Sequence, residues 1–332
     1  MTTVSLPSVS VIIPIFNGES SLAGAIGSVC RQDAVNMEVI LLDDGSRDRS
    51  WDLISAYPDP RIRAMHHPNR GLAATLNLGI SWAHGPYIAR QDQDDLALPG
   101  RFAKQLAFLE ANPDVAMVGT WSQIYAGDVP TPRYHRHPGS NEALQLELLF
   151  DNPFVHSSMM IRADVLREVG GYCEDKSRQP PEDYELWSRI ARQYRVANLP
   201  EVLTVYREVA GSMSRTGDNP FLGNVIRIST ENLCHVLASD HPVADCAALA
   251  ELYHRGGMAG FRSPLTKARA REMLDSAALG VGGDRAGWSA EFQSSYRRMR
   301  AHLDSRFVRR RIPAPLLAPA RWLRNRVLRR EH

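Results

Sequence analysis

Metal-type cysteine spacing is missing from this sequence. Cys30, Cys173, Cys234 and Cys246 are scattered, with no Cys-x-x-Cys pair among them. That excludes a zinc ribbon and a thioredoxin-type dithiol, and four cysteines in 332 residues are too few for the disulfide framework of a small secreted domain. Reduced thiols in a reducing compartment are expected. Apolar runs of about 18 residues are also lacking, so no helix is expected to cross a bilayer. The opening MTTVSLPSVSVIIPIFN has no basic stretch ahead of its short apolar run, unlike a secretory signal. Nor is there an excess of one charge: the formal net charge is +2, which gives no global pull on nucleic acid. Internal repeats and low-complexity tracts are absent as well. A cytoplasmic protein is the expectation, soluble or peripheral on the inner face of the cytoplasmic membrane.

What remains is a chain of ordinary globular composition, 44% apolar and 23% charged, long enough for one large domain or two unequal ones. VSVIIPIF (9–16) and MEVILLDDGS (37–46) are β-branched apolar runs that end in turn residues. SSLAGAIGSVCRQ between them predicts a helix capped by Ser20 or Ser21. Further on, SWDLISAY, GLAATLNLGISWAH and RFAKQLAFLEAN predict helices, while RIRAMHH, PYIAR and VAMVGTWSQIY predict strands. Strands alternating with helices give right-handed βαβ units and a mostly parallel sheet, an α/β fold. From about 130 the pattern loosens: PTPRYHRHPGS reads as a loop, FVHSSMMIRADVLREVGGY as a strand leading into a helix, and PPEDYELWSRIARQY as a helix. Beyond about 218 the chain reads as helical. The expected organisation is a catalytic domain over 1–217, a helical region over 218–304 and a basic tail over 305–332.

Ligands of parallel sheets bind beyond the carboxyl ends of strands. Two acidic clusters fall at such ends, Asp43-Asp44-Gly45-Ser46 and Asp92-Gln93-Asp94-Asp95. Aspartates this close repel one another, so the second cluster is either a solvated turn or a site for a hard cation, which takes oxygen ligands. Glu182-Asp183 at a helix start either favours the helix N-terminus or supplies a catalytic base.

Read together and in order, several blocks resemble the family 2 glycosyltransferases of bacterial polysaccharide synthesis, including O-antigen and exopolysaccharide assembly. They are VSVIIPIFNGESSLAGAIGSVCRQ, EVILLDDGSRDRS, the long stretch from NRGLAATLNLG to ANPDVAMVGT, NPFVHSSMMIRADVLREVGGY, PEDYELWSRIARQY and LPEVLTVYREVAGSMS. The resemblance spans about residues 8 to 215 and implies a GT-A fold, Rossmann-like, with a nucleoside-diphosphate sugar donor (a UDP-sugar foremost), an inverting transfer and a divalent cation, Mn²⁺ or Mg²⁺. Carried over by position, Pro14, Phe16 and Asn17 line the nucleotide pocket and Asp44 bonds the base. Asp92 and Asp94 form the metal and ribose-diphosphate motif, with Asp94 the direct ligand and Asp95 behind it or capping the turn. Gln93 stands where relatives carry a small residue and is expected to bond ribose or phosphate. Arg70 and Arg90 either offset charge at the diphosphate or are structural. Asp183 is the implied general base beside Glu182 and Glu185, whose charges would raise its pKa. On the acceptor side, His156 lies beneath the acceptor or in the core, and Trp187 stacks on a sugar or is core.

Two departures stand out. Val209 occupies the place where relatives carry the histidine of Tyr-Arg-x-His, and the Gln-x-x-Arg-Trp motif of processive synthases is missing, which favours a single addition. Residues 305–332 hold nine arginines against one acid, Glu331, interleaved with Trp322, Leu323, Val327 and Leu328. An anionic membrane surface is the expected partner of this tail, with dimer or core packing as the alternative and nucleic acid disfavoured. A glycan or lipid-linked acceptor fits that expectation. Other classes consistent with the fold are a sugar-phosphate nucleotidyltransferase, which would want a Gly-rich basic loop after the first strand, and a non-catalytic glycan-binding scaffold.

Overall fold

The structure is a computed structural model that describes residues 6–32, 34–208, 221–237, 241–258 and 260–308. The chain divides into two compact units. The first runs to Gly139 and resumes at Pro153 through the last strand. The second comprises Ser140–Asn152 and the helices from Phe221 on. Residues 140–152, placed by sequence within the first domain, therefore pack with the C-terminal helices.

A nine-stranded sheet organises the first unit in the order β3-β2-β1-β4-β8-β6-β9-β5, with β7 beside β6. Strands β1 (Val9–Ile15), β2 (Met37–Asp43), β3 (Ile62–His66) and β4 (Tyr87–Arg90) are mutually parallel. All seven residues of β1 and of β2 are buried. Parallel strands covered on both faces read as continuous apolar runs, which is why these two segments lack alternation. Each buried Val, Ile or Leu there contributes about 1.5–3 kcal/mol of transfer free energy. Helices α1 (Leu22–Cys30), α2 (Ser50–Ser55) and α3 (Leu72–Trp82) connect these strands, and α4 (Arg101–Ala111) follows the two-residue β5 (Leu96–Ala97). Ser21 does occupy the cap position of α1, but its side chain makes no capping bond there.

The second half of the sheet is mixed. β6 (Val115–Ala126) lies antiparallel to β8 (Met160–Arg162) and parallel to β9 (Arg195–Glu208), and β8 is antiparallel to β4. β5 pairs with β9 through Leu96 with Val205 and Ala97 with Thr204, which brings the acidic loop at 92–95 against β9. The segment PTPRYHRH is not a loop. Residues Val129–His135 form β7, paired antiparallel with β6 after a turn at Gly127 (φ 61°). Pro130 and Pro132 obscured it in the sequence, yet β7 has one strand neighbour, and an edge strand tolerates residues that cannot donate. After α6 (Ala163–Glu168) comes α7 (Glu182–Ala191).

The second unit packs α5 (Asn141–Leu148) with α8 (Phe221–Leu237), α9 (Val243–Arg255), α10 (Lys267–Gly282) and α11 (Ala290–Val308) around Leu146, Phe150, Leu233, Leu249, Leu274 and Phe292. Phe150 stacks on Tyr253 with ring centroids 4.1 Å apart. Among the described residues no helix is long and apolar enough to cross a membrane. Residues 309–332, most of the arginine-rich tail, lie outside the described residues, as does Val209.

Candidate active site

The carboxyl ends of β1, β2 and β4 converge on the acidic clusters. At the end of β2, Asp43 is fully buried, accepts from the Ser46 N–H at 3.1 Å and pairs with His66 Nδ1 at 2.7 Å. Asp44 turns towards the start of α3. Its oxygens accept the Arg70 N–H at 2.7 Å, the Gly71 N–H at 3.0 Å and Asn69 Nδ2 at 3.1 Å. Gly71 enters α3 at φ 93°, which brings two backbone amides onto one carboxylate. A carboxylate has about four lone-pair sites, so Asp44 retains room for one further donor. Arg70 itself is exposed and borders a recess of about 650 Å³ with Asn77, Glu174, Lys176 and Gln179.

The loop leaving β1 presents Phe16, 46% exposed, and Asn17 at φ 51°. Pro14 belongs to buried β1 and pairs in register with Leu42, so it shapes the floor from within the strand.

Beneath the second acidic cluster lies a chain of fixed charges. Arg90 is 2% exposed and donates from Nη2 to Asp92 Oδ1 at 2.5 Å. It is therefore a buried counter-ion and presents no charge outward to a diphosphate. Ser157 Oγ contacts Asp92 Oδ2 at 2.5 Å and also Asp95 Oδ2. A hydroxyl has one proton to give. Burial, then the charges of Asp92 and Asp94, push the Asp95 carboxyl well above its ordinary range. Asp92 is held below its range although burial opposes it, because Arg90, His156 and Ser157 favour the anion. The single Ser157 proton is thus shared between the Asp92 and Asp95 carboxylates and ties the two together. Each Asp92 oxygen accepts one side-chain bond and keeps a further lone pair, and the side chain is 31% exposed.

Asp94 is different. Burial and the Asp92 charge raise its carboxyl to about 6. Its carbonyl accepts from Arg207 Nη1 at 2.8 Å, and the Arg207 N–H reaches Asp95 Oδ1 at 2.8 Å, but no other side chain among the described residues bonds the Asp94 carboxylate. Gln93 does not reach outward for ribose or phosphate; its amide is paired with the main chain of Phe16.

Helix α7 opens with Glu182 and Asp183. The Glu182 carboxyl is pushed up to about 7, by burial and then by Asp183. Asp183 Oδ1 accepts the Tyr184 N–H at 2.7 Å. Glu185 is 5% exposed and paired with Arg189 at 2.9 Å. His156 pairs through Nε2 with the Tyr172 hydroxyl at 2.8 Å; burial and Arg90 push it down to about 3, so the ring is neutral. Trp187 is fully buried and packs edge-on against His156 at 5.9 Å and Tyr172 at 6.3 Å. It offers no face to a sugar, and its sequence reading as a stacking residue is corrected to a core one. Ser157, Tyr172 and Arg207 were missed. The one signal for them is general: buried carboxylates need donors, and Ser157 directly follows a residue already singled out.

Glu182 and Asp94 link this site to stability. Both are raised acids, so the folded protein binds their protons more tightly than the unfolded chain does. Stability is then present at low pH and falls as pH rises from about 4.5 towards about 7. Glu182→Gln is expected to flatten that slope, read as melting temperature against pH for the metal-free protein. An unchanged slope would contradict the burial of this carboxyl.

No group of three or more His, Cys, Asp or Glu among the described residues could hold a metal by itself. Asp94, a carboxylate with raised proton affinity, would supply one oxygen ligand to a divalent cation, with Asp92 beside it. Mg²⁺-type sites usually add substrate phosphates and water to one or two carboxylates, and this site suits that sharing.

The model of the family described as Glycosyl transferase family 2 matches residues 10–170. The amylovoran biosynthesis glycosyltransferase AmsE of Erwinia amylovora is 32% identical over 61% of this chain and 76% of its own length. An uncharacterized glycosyltransferase of Haemophilus influenzae is 29% identical over 75% and 81%. In structure the chain is similar to residues 1–349 of S. aureus TarS in complex with UDP-GlcNAc, with a TM-score of 0.61 at 16% identity over 90% of this chain and 92% of that one. That likeness shows the fold, a GT-A arrangement of sheet and helices followed by C-terminal helices. The protein is an enzyme, a glycosyltransferase, and the chain belongs to glycosyltransferase family 2.

Proposed function

We propose that the protein is an inverting glycosyltransferase that moves one sugar from a nucleoside-diphosphate sugar to a hydroxyl of a glycan or lipid-linked acceptor. The observation that carries this reading is the division of labour among the acids. Asp92 and Asp95 are tied by Ser157 into a hydrogen-bonded floor beside Asp94, whereas the Glu182-Asp183 pair opens another helix, close enough for the Arg90 and Asp92 charges to act on Glu182. UDP-GlcNAc bound to TarS supports a nucleotide-sugar donor.

Asp44 and Phe16 bind the nucleoside end, the first through its remaining acceptor site and the second by its exposed ring. Asp94 holds the divalent cation, which when bound stabilises negative charge on the departing diphosphate. Arg90 keeps Asp92 ionised and fixed, so Asp94 is aimed outward by a rigid floor. Asp183 takes the proton of the acceptor hydroxyl as that oxygen attacks the anomeric carbon and the bond to the diphosphate breaks on the opposite face. Tyr184 orients Asp183 through its N–H, and Glu182, near half protonation at neutral pH, keeps the local negative charge low. Neutral His156 and Tyr172 lie behind the acceptor side and hold Trp187 in place. The tail, when basic residues meet an anionic bilayer, keeps the enzyme near a lipid-linked acceptor.

Thermal shifts with UDP-, GDP-, dTDP- and CMP-sugars, each with and without Mn²⁺, test the donor class. Saturation at about 100 times Kd adds about 2.7 kcal/mol to stability, easily read as a shift. One nucleotide family stabilising the protein in a Mn²⁺-dependent way is the expected result. No shift with any of the four, with Mn²⁺ or Mg²⁺, would overturn the reading.

A further inference from the structure

The loop that leaves β1 is held by side chains at every step. The Asn17 N–H donates to Ser46 Oγ at 2.9 Å, the Gly18 N–H to Ser50 Oγ at 2.8 Å and the Glu19 N–H to Asp48 Oδ2 at 2.9 Å. Asn17 Oδ1 returns a bond by accepting the Arg47 N–H at 2.9 Å. All of these partners lie in the segment that follows β2. Phe16 is the exception. Its N–H donates to Gln93 Oε1 at 2.8 Å, and its carbonyl accepts from Gln93 Nε2 at 3.1 Å.

One side-chain amide thus copies the two-bond exchange by which neighbouring strands pair. The clamp joins the first strand's exit to the acidic loop between two functional aspartates. It also dictates a neighbour: a Cβ on Gly18 would stand 2.6 Å from Gln93 Oε1 and 2.9 Å from its Cδ, so a side chain at that position would displace the amide. The backbone on both sides of the Phe16 ring is consequently fixed while the ring itself remains 46% exposed.

We propose that Gln93 is a positioning residue for nucleotide recognition, a latch that holds Phe16 ready to stack on the donor base. The inference rests on the donor reading above and deepens it: Gln93 acts on the nucleoside end although it sits in the motif assigned to the diphosphate end. Without the latch the loop samples positions in which the ring is misplaced. Apparent affinity then falls by the fraction of time the ring is in place. The loss belongs to ligands that carry a base and spares inorganic diphosphate.

Calorimetric titration with UDP, GDP, dTDP, CMP and inorganic diphosphate, all with Mn²⁺, tests this on the full chain. Gln93→Met keeps the volume and removes both hydrogen bonds. With each bond contributing on the order of half to one tenfold step, the variant is expected to bind the preferred nucleotide about tenfold more weakly and diphosphate within about twofold of wild type. Gln93→Asn, too short to reach both groups, gives the same split should the methionine variant fold poorly. In a Phe16→Ala background, Gln93→Met costs nothing further, because the latch then holds no ring. Nucleotide affinity within about twofold of wild type in Gln93→Met overturns the latch, as does an equal loss for diphosphate or a full loss persisting without Phe16. Wild-type protein that binds diphosphate but none of UDP, GDP, dTDP and CMP would remove the donor reading itself, and the latch with it.

Discussion

Asp183→Asn is expected to lower the rate of transfer by about three orders of magnitude while the donor binds as it does to the wild type. The substitution is nearly isosteric. It leaves an oxygen that can still accept the Tyr184 N–H at the start of α7, so the helix keeps its first turn. What disappears is the capacity to take a proton. An alcohol attacks an anomeric carbon poorly until its proton is removed, and a positioned base contributes about 10²–10⁴-fold. Asp183 accepts the Tyr184 N–H, outside the floor of Asp92, Ser157 and Asp95, so the donor is expected to bind independently of its charge. A variant with weakened donor binding would move Asp183 to the donor side, and a variant with full activity would remove it from the chemistry. The rate is read as sugar transferred per enzyme at saturating donor.

Asp94→Asn is expected to have two opposite effects. Transfer falls by at least about 10²-fold, because a cation at the diphosphate stabilises the transition state by several kcal/mol and Asp94 is its protein ligand. Stability of the metal-free protein rises by about 1–2 kcal/mol at pH 8. The Asp94 carboxyl, raised to about 6 by burial and by Asp92, is ionised at that pH against the preference of its surroundings, and a neutral amide relieves the conflict. The gain shrinks as pH falls through about 6 and is nearly gone at about pH 4, where the carboxyl is protonated in the folded state. Melting temperatures of the two proteins at pH 4 and pH 8 check the sign. A variant less stable than wild type at pH 8 would mean that Asp94 has a structural partner and is not a strained ligand.

The parallel half of the sheet was legible because burial on both faces writes itself as unbroken apolar runs, as in VSVIIPI and MEVILL. The acids at strand ends were legible for a related reason: aspartate is a poor strand residue, so its position at the end of such a run invites a ligand. The antiparallel half was harder to read. β7 carries two prolines and five exposed residues, and nothing in its composition distinguishes an edge strand from a loop. At the site the limit was three-dimensional. Asp92 and Asp94 are alike by spacing, yet Arg90 and Ser157 bond the first and not the second, a distinction carried in part by a residue 65 positions away in sequence. Trp187 looked available to a sugar because it follows Asp183 by about one helical turn. The rings of His156 and Tyr172, brought in from other segments, bury it. Gln93 was read as a donor contact from its place in the motif, whereas its partner, Phe16, comes from the end of another strand.

The central claim is that Asp94 belongs to donor binding and Asp183 to the transfer step. Calorimetric titration of one UDP-sugar, in the presence of Mn²⁺, into wild type, Asp94→Asn and Asp183→Asn tests it most directly. The account predicts equal affinity for wild type and Asp183→Asn, and affinity weakened at least about tenfold for Asp94→Asn, with the difference disappearing when Mn²⁺ is removed. Undiminished binding by Asp94→Asn, or binding lost instead in Asp183→Asn, would contradict it.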